Sequence, residues 1–377
     1  MRNEERGETL DRPYQLGCPV WGDASWVGRF YSSGNRRQWL SEYSRVFNTV
    51  EGNSVFYALP TLETVERWAS ETEDGFQFAL KVPHAISHDG QLENTERHCA
   101  ELFKRLGRLA TADRLGTTFL QLPPFFSAPL FPRLERFIEN WPREFPLAIE
   151  VRHEDYFDSG VCEKGLDHLL RHAGVDRVLF DSRCLFSQRP SDESELAAQQ
   201  RKPQSPFRST VTAQRPFVRL IGRNHLEQTA PWLAEWAQQV GQWIHEGLRP
   251  SVFITLRMTN TRQIWRDIFT LSSNGICLKF PICLCSRSTA PPNRSSCFNS
   301  EMGPRGAKDS SRCRRVQSFK PSSSRSSSSR SSSSRAWRIA FRAWLHSAKK
   351  SRSFRSSKVI CSRSVSYTHL TLPTKQP

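Results

Sequence analysis

The 377-residue chain carries 54 Lys and Arg against 37 Asp and Glu, a formal charge of +17 that by itself would point to nucleic acid or an acidic membrane surface. The charge is not evenly spread: residues 1–254 hold 30 basic and 34 acidic side chains and residues 255–377 hold 24 and three, so the longer, mildly acidic part gives that inference no support. No apolar run reaches the roughly 18 residues of a membrane span, the opening MRNEERGETLDRPY lacks the apolar core of a secretory signal, and Cys18, Cys99, Cys162 and Cys184 show no disulfide-framework spacing, which together point to a reducing, cytoplasmic setting.

Residues 1–14 read as a flexible N-terminus. From there turn signals divide the chain into short apolar segments, each followed by a longer one of helical period. In chain order the pattern predicts a strand at 16–21, a helix at 37–47, a strand at 48–53, a helix at 61–70, a strand at 76–82 and a helix at 96–110. It continues with a strand at 117–123, a helix at 132–140, a strand at 147–152, a helix at 162–172 and a strand at 177–182. The polar stretch 191–208 reads as a solvated insertion or a lid; a strand at 217–222, a helix at 231–245 and a strand at 251–254 come after it. Eight strands alternating with helices over about 240 residues is what a (β/α)8 TIM barrel requires. An open doubly wound sheet is the alternative, weakened because no glycine-rich phosphate fingerprint follows the first strand.

Several strands end in a polar or charged residue: Glu51 and Asn53, Lys81, Gln121, Glu150 and Arg152, Asp181, Arg219. On a barrel these positions face the C-terminal rim, where active sites are built. Burying an unpaired charge costs several kcal/mol, so such groups must pair, bind something or line a wet cleft. Glu150, Arg152 and His153 after the fifth strand, with Asp181 and Arg183 after the sixth, would sit at adjacent rim positions. A carboxylate there could act as general base or metal ligand while arginine holds an anion; a salt-bridge network shaping the mouth is the plainer alternative. Glu51, Asn53, Tyr57, Lys81, Gln121 and His88 add groups suited to a polyhydroxylated or phosphorylated ligand. Lys81 as a Schiff-base nucleophile would need a depressed pKa, and a salt bridge to Glu51 or Glu150 is the simpler expectation. The candidate catalytic set is thus Glu51, Lys81, Glu150 and Asp181, with Asn53, Tyr57, His88, Gln121, Arg152, His153, Arg183 and Arg219 as binding residues. Arg219, Gly222 and Arg223 close the seventh strand beside the usual barrel phosphate site. His84 and His88 have i, i+4 spacing but lie in a proline-flanked loop without an HExxH arrangement, so a metal at that pair is not expected; a divalent metal held by ligands from several strands stays open. Trp21, Phe56 and Tyr57 suit stacking on a sugar or base, or simply wall the barrel.

The strings VEGNSVFYALP (50–60), FQFALKVPHAISH (76–88), LQLPP (120–124), IEVRHEDYF (149–157), FDSR (180–183) and VRLIG (218–222) resemble the YecE-like family, domain of unknown function seventy-two. The resemblance covers residues 15–254 with its motifs in order. It implies a TIM barrel and no established activity, and it fixes no role for any residue. Two departures stand out. Cys184 follows the DSR string where close relatives usually carry proline, and the eighth strand runs into TLRMTN (255–260) where the family normally has an HTPD-like or ND-like motif. Inserting one cytosine into a back-translation of residues 254–267 turns ITLRMTNTRQIWRD into IHTPDDKHAPDMAR, and in the same frame 293–299 becomes EQEQLF and a stop. Residues 255–298 are therefore expected to be the barrel's end read out of frame, and 299–377 a spurious basic tail whose VSYTHLTLPT (365–374) resembles a translated sequencing adaptor. The alternative is a genuine disordered arm whose Ser/Arg run (322–335) would bind RNA. The expected function is an enzyme, of hydrolase, lyase or isomerase type, acting on a small polar or phosphorylated substrate. A nucleic-acid-acting barrel, disfavoured by the charge of residues 1–254, and a non-catalytic ligand-binding protein are the alternatives.

Overall fold

The structure, a computed structural model, describes residues 12–28, 30–255, 270–272 and 275–277, all within the first of two compact units, Met1–Ser310. Residues 256–269, where the family's HTPD-like motif would fall, and the Ser/Arg run lie outside the described residues. Strands β1 (Gln15–Gly17), β2 (Thr49–Gly52), β3 (Gln77–Leu80), β4 (Thr118–Gln121), β5 (Leu147–Glu150), β6 (Asp176–Asp181), β7 (Phe217–Ile221) and β8 (Ser251–Thr255) follow the predicted order. Helices α1 (Arg36–Ser44), α2 (Ser54–Tyr57), α3 (Leu62–Glu71), α4 (Glu96–Thr111), α5 (Phe131–Glu139), α6 (Val161–Ala173), α7 (Arg183–Phe186), α8 (Glu193–Arg201) and α9 (Leu226–His245) lie between them. Two further strands, β9 (Thr270–Ser272) and β10 (Gly275–Cys277), form their own antiparallel pair.

The order β1-β8-β7-β6-β5-β4 makes a six-stranded parallel sheet, and β2 and β3 form a separate parallel pair. A few hydrogen bonds span the gaps between them. Val82 N–H donates to Phe119 O (2.9 Å) and Gly116 N–H to Phe78 O (3.0 Å); on the other side Glu51 N–H donates to Cys18 O (3.1 Å). The sheet is curled, because Arg219 on β7 bonds both Glu51 on β2 and Glu150 on β5. Gly17 permits the approach of β1 to β2: a Cβ there would lie 2.1 Å from Thr49 O, so no other residue fits without moving a strand.

Most of these strands are buried on both faces, as expected where helices cover a parallel sheet. Side chains alternate along a strand, so inward positions recur every second residue. Ala79, Phe119, Ala148, Val178, Phe217 and Phe253, one from each of six strands, form a core layer, with Phe217 packed at a tilt between Phe119 (5.2 Å) and Phe253 (4.8 Å). Two residues further along β3, β4, β5 and β7 come Lys81, Gln121, Glu150 and Arg219, so the polar rim rests on an apolar floor.

Local chemistry sets the helix ends. Asn35 and Thr61 cap α1 and α3 by accepting from Arg37 N–H (3.2 Å) and Thr64 N–H (3.2 Å), and Gly174 ends α6 in the left-handed region at φ 68°. Helix α9 begins at Leu226, five residues before the Pro231 start expected from the sequence. Thr229 Oγ accepts from Arg223 N–H (3.0 Å) and can donate to His225 O (3.3 Å), which holds the extra turn. The polar stretch 191–208 is also corrected: it contains α8, capped by Asp192, which accepts from Glu195 N–H (2.8 Å), and it is pinned by the buried Glu195–Arg223 ion pair (2.6 Å). It is neither a plain solvated loop nor a free lid.

Candidate ligand site at the rim of the curled sheet

The inward residues at the strand ends form one buried hydrogen-bonded network. Arg219 Nε and Nη2 donate to Glu51 Oε2 (2.8 Å) and Oε1 (2.6 Å), and its Nη1 donates to Glu150 Oε2. Glu150 Oε1 also accepts from Gln121 Nε2 (2.7 Å) and Arg152 Nε (2.8 Å). Glu51 Oε1 accepts from Asn53 Nδ2 (2.7 Å), which also reaches Pro19 O (3.0 Å). Lys81 Nζ donates to Gln121 Oε1 (2.8 Å) and stands 3.7 Å above the Phe56 ring. The expected salt bridge from Lys81 to a carboxylate is therefore replaced by a bond to a neutral amide, because Arg219 bonds both glutamates, Glu51 in a bidentate grip. Gln121 acts as a spacer, oxygen to Lys81 and amide nitrogen to Glu150.

Both glutamates are 1% exposed. Burial alone would raise the Glu150 carboxyl, but Arg219 and Arg152 outweigh it and hold it down at about 2. Burial works against the Arg219 charge, yet Glu150 and Glu51 keep it firmly protonated. Lys81, 8% exposed and beside Arg219 and Arg152, is pushed by burial and those charges down to about 7. Burial, then His84, Lys81 and Arg152, lower His88 to about 4, so its ring is neutral near pH 7.

Lys202, directly after α8, joins the same environment: burial and the Arg219 charge lower its ammonium pKa, while Glu51 and Glu150 oppose the shift. Ser182 Oγ donates to Pro203 O (3.0 Å) and so fixes this segment over the end of β6. Four cationic side chains, Lys81, Arg152, Lys202 and Arg219, thus surround two carboxylates. Among the described residues, Lys202 Nζ and the terminal nitrogens of Arg152 have no hydrogen-bond partner. The outer edge is aromatic. Phe56 meets Tyr57 (5.1 Å), His84 (5.2 Å) and His88 (5.0 Å), His84 and His88 stack at 4.7 Å, and Phe125 lies 6.5 Å from His88. Tyr57 is 83% exposed and Phe125 is also open to solvent.

The model of the family described as "Protein of unknown function DUF72" matches residues 15–265. The chain is 37% identical over 239 residues to the UPF0759 protein YecE of Escherichia coli (strain K12), spanning 63% of this chain and 85% of that protein. The chain belongs to the DUF72 family. A second relative, the UPF0759 protein YunF of Bacillus subtilis (strain 168), is 24% identical over 168 residues, 43% of this chain and 59% of YunF. The crystal structure of a DUF72 family protein from Thermotoga maritima MSB8 superposes with a TM-score of 0.51 at 19% identity, covering 67% of this chain and 96% of that one, which supports the fold alone.

Within this DUF72 chain the network gathers Glu51, Asn53, Lys81, Gln121, Glu150, Arg152 and Arg219 from the sequence candidates, with His88 at its aromatic edge. Asp181 does not join it. Asp181 pairs in register with Leu220 and not with Arg219, which places it on the outer face of the sheet. There it accepts from Trp236 Nε1 (2.9 Å) and from Arg183 Nε (3.0 Å) and Nη2 (2.9 Å). Arg183 also bonds Glu235 (2.8 Å) and covers Phe207 (3.8 Å), so it is tied to α9 and not to the mouth. His153 caps the turn Glu154–Phe157, its Nδ1 accepting from Asp155 N–H (3.1 Å), and makes no bond to the network. Arg223, expected beside an anion site, is fully engaged by Glu195, Gln188 and the Arg189 carbonyl. Trp21 packs against Trp68 (5.3 Å), as a wall residue does.

Among the described residues no group of three or more His, Cys, Asp and Glu is arranged to hold a metal, and His84 and His88 turn instead to Asp89 (3.0 Å) and Ser87 (2.9 Å). The rim carboxylates already carry guanidinium and amide partners, so a divalent cation would have to displace them. No helix among the described residues is long and apolar enough to cross a membrane. A cleft of about 570 Å³ between α4 and α5, lined by residues such as Cys99, Phe103 and Trp141, lies away from the network and contains none of its residues.

Proposed function

We propose that the strand-end network is the binding site of a small phosphorylated or carboxylated substrate, and that the protein is an enzyme acting on it at the mouth of a closed (β/α)8 barrel. Closure is supported by the hydrogen bonds bridging β3 to β4 and β1 to β2, and by the reach of Arg219 from β7 to β2. The observation that carries the ligand reading is the surplus of cations, with donors on Lys202 and Arg152 still unfilled among the described residues. Arg219, Lys81 and both carboxylates are buried, Arg152 and Lys202 are partly open to solvent, and an anion bridging the last two would balance the excess positive charge. Arg219 holds Glu51 and Glu150 in place, and Glu150, kept ionised, would supply negative charge beside the reacting group; Arg152 and Lys202 would grip the anion; Phe56, His88, Tyr57 and Phe125 would shape the entrance and exclude water.

Thermal shift and calorimetry with inorganic phosphate and small carboxylates at low ionic strength test this reading. Ligand at about 100 times Kd stabilises by about 2.7 kcal/mol. Phosphate or carboxylate should raise the melting midpoint of the wild type, and Lys202→Met and Arg152→Met should weaken binding by about tenfold each, the worth of one charge-assisted hydrogen bond. Equal binding by both variants, or none by the wild type at millimolar ligand, would refute it.

A further inference from the structure

We propose that Lys81 is a covalent amine, condensing with an aldehyde or ketone carbon of the anionic ligand to form a protonated imine. The inference rests on the anion-site reading and adds the ligand's reactive group. Two geometric features carry it, and the surrounding charge supports it. Lys81 Nζ makes its one polar contact among the described residues with a neutral oxygen, Gln121 Oε1, although two glutamates lie in the same network. It sits over the Phe56 face at 3.7 Å, which shields one side from water and favours a cation there, the product iminium as well as the ammonium. It is crowded by cations, Arg219 and Arg152, which disfavour an ammonium and tolerate a neutral amine. A lysine serving only as a charge would pair with a carboxylate; here Arg219 takes those carboxylates and leaves the amine to other chemistry.

The chemistry balances without an outside reagent. The neutral amine's lone pair attacks the carbonyl carbon, the C–N bond forms, and the π pair moves to oxygen, which takes the proton the nitrogen releases. The C–O bond of this carbinolamine then breaks as its oxygen takes up one more proton from solvent. Water leaves, and the nitrogen lone pair closes the C=N bond of the iminium. Glu150, one amide away through Gln121, places negative charge near the cation that forms. The unfilled donors of Arg152 and Lys202 are placed to hold the ligand's anionic group during these steps. The substrate class is therefore a small carbonyl compound bearing a carboxylate or phosphate.

The test uses glyoxylate and, as a neutral counterpart, propanal, each with sodium cyanoborohydride to trap imines, on the full chain at pH 7. Labelling is read by peptide mass mapping, with the exposed Lys104 as internal reference. Glyoxylate should label Lys81 at least about tenfold faster than Lys104, since an ordinary lysine holds only on the order of one free amine per thousand at this pH. Lys202→Met should slow glyoxylate labelling at Lys81 by about tenfold and leave propanal labelling unchanged. Preferential Lys81 labelling by both probes with no Lys202 effect would keep the imine and overturn the anion site. Glyoxylate that raises the melting midpoint but labels Lys81 no faster than Lys104 would overturn the imine and keep the anion site. Neither binding nor preferential labelling would overturn both. Because the site is mapped in the wild type, the test does not depend on Lys81→Met remaining folded.

Discussion

Replacing Arg219 by methionine should cost far more than the side chain's burial. Arg219 is the sole guanidinium bonded to Glu51 among the described residues and one of two on Glu150, and both carboxylates are buried. Holding Glu150 at about 2 in place of its ordinary 4.5 corresponds to about 3 kcal/mol, and breaking a buried pair by removing one partner typically costs about 3–5. Against a net stability of about 5–15 kcal/mol that is a large fraction. The pH dependence identifies the cause. In the wild type the depressed Glu150 pKa contributes stability that is fully present above pH 4.5 and is lost as the pH falls towards 2. In Arg219→Met, Glu51 is left buried without a guanidinium and Glu150 keeps Arg152 alone, so burial drives the Glu150 carboxyl upward from its wild-type position and the cost of the two buried carboxylates grows as the pH rises. The deficit should be smallest near pH 4.5 and largest at pH 7. Adding Glu51→Gln should recover part of it, a non-additivity readable from a double-mutant cycle. Urea unfolding at pH 5 and 7 measures this. A deficit below about 1 kcal/mol at pH 7, or one equal at both pH values, would refute the network's energetics.

Three other outcomes are expected. Lys81 titrates at about 7 when folded and at its ordinary 10.5 when unfolded, so the unfolded chain binds more protons between those values. Wild-type stability should rise with pH across that window and Lys81→Met should flatten the slope; parallel urea midpoints of wild type and variant from pH 7 to 10 would contradict the assignment. Burial raises Asp176 to about 7 against the opposing Arg215 N–H and charge, so its contribution is present below pH 3.8 and lost as the pH rises through 7. Asp176→Asn keeps an acceptor for Arg215 N–H (2.9 Å) and should raise the melting midpoint at pH 8 but not at pH 4, which calorimetry at both values decides. Finally, replacing residues 254–267 by IHTPDDKHAPDMAR, and the remainder of the chain by the product of the restored frame up to its stop, should raise the midpoint by several degrees, about 1 kcal/mol or more; an unchanged midpoint, or resequenced DNA with an unbroken frame, would dismiss the slipped-frame reading.

The strand order and helix periods are legible in the sequence because each strand is a short apolar run bounded by turn residues, and because the polar residue ending it recurs at a fixed place. Seven of the rim candidates meet in one network for that reason. Asp181 misleads because adjacent residues on a strand point to opposite faces: Phe180 shares the face of Arg219, whereas Asp181 turns to Trp236. Lys202 is hidden because it sits in a polar stretch with the composition of a solvated loop. The Asp192 to Glu195 spacing, an N-cap followed three residues later by glutamate, is the available signal that a helix delivers it to the rim. The partner choice of Lys81 lies beyond sequence, since it depends on which cation, from strands far apart in the chain, engages the glutamates.

The pairing of β1 with β8 joins Gln15 to Ser251 through both the strand ladder and a side-chain hydrogen bond of 2.9 Å. On the ribosome this means that the first strand made is left without its ladder partner until β8 has emerged. At about 5–20 residues per second that wait is on the order of 10–50 s, during which a buried-type edge stays open to wrong neighbours. Anything that alters the chain just after β8 therefore acts on the beginning of the protein as much as on its end.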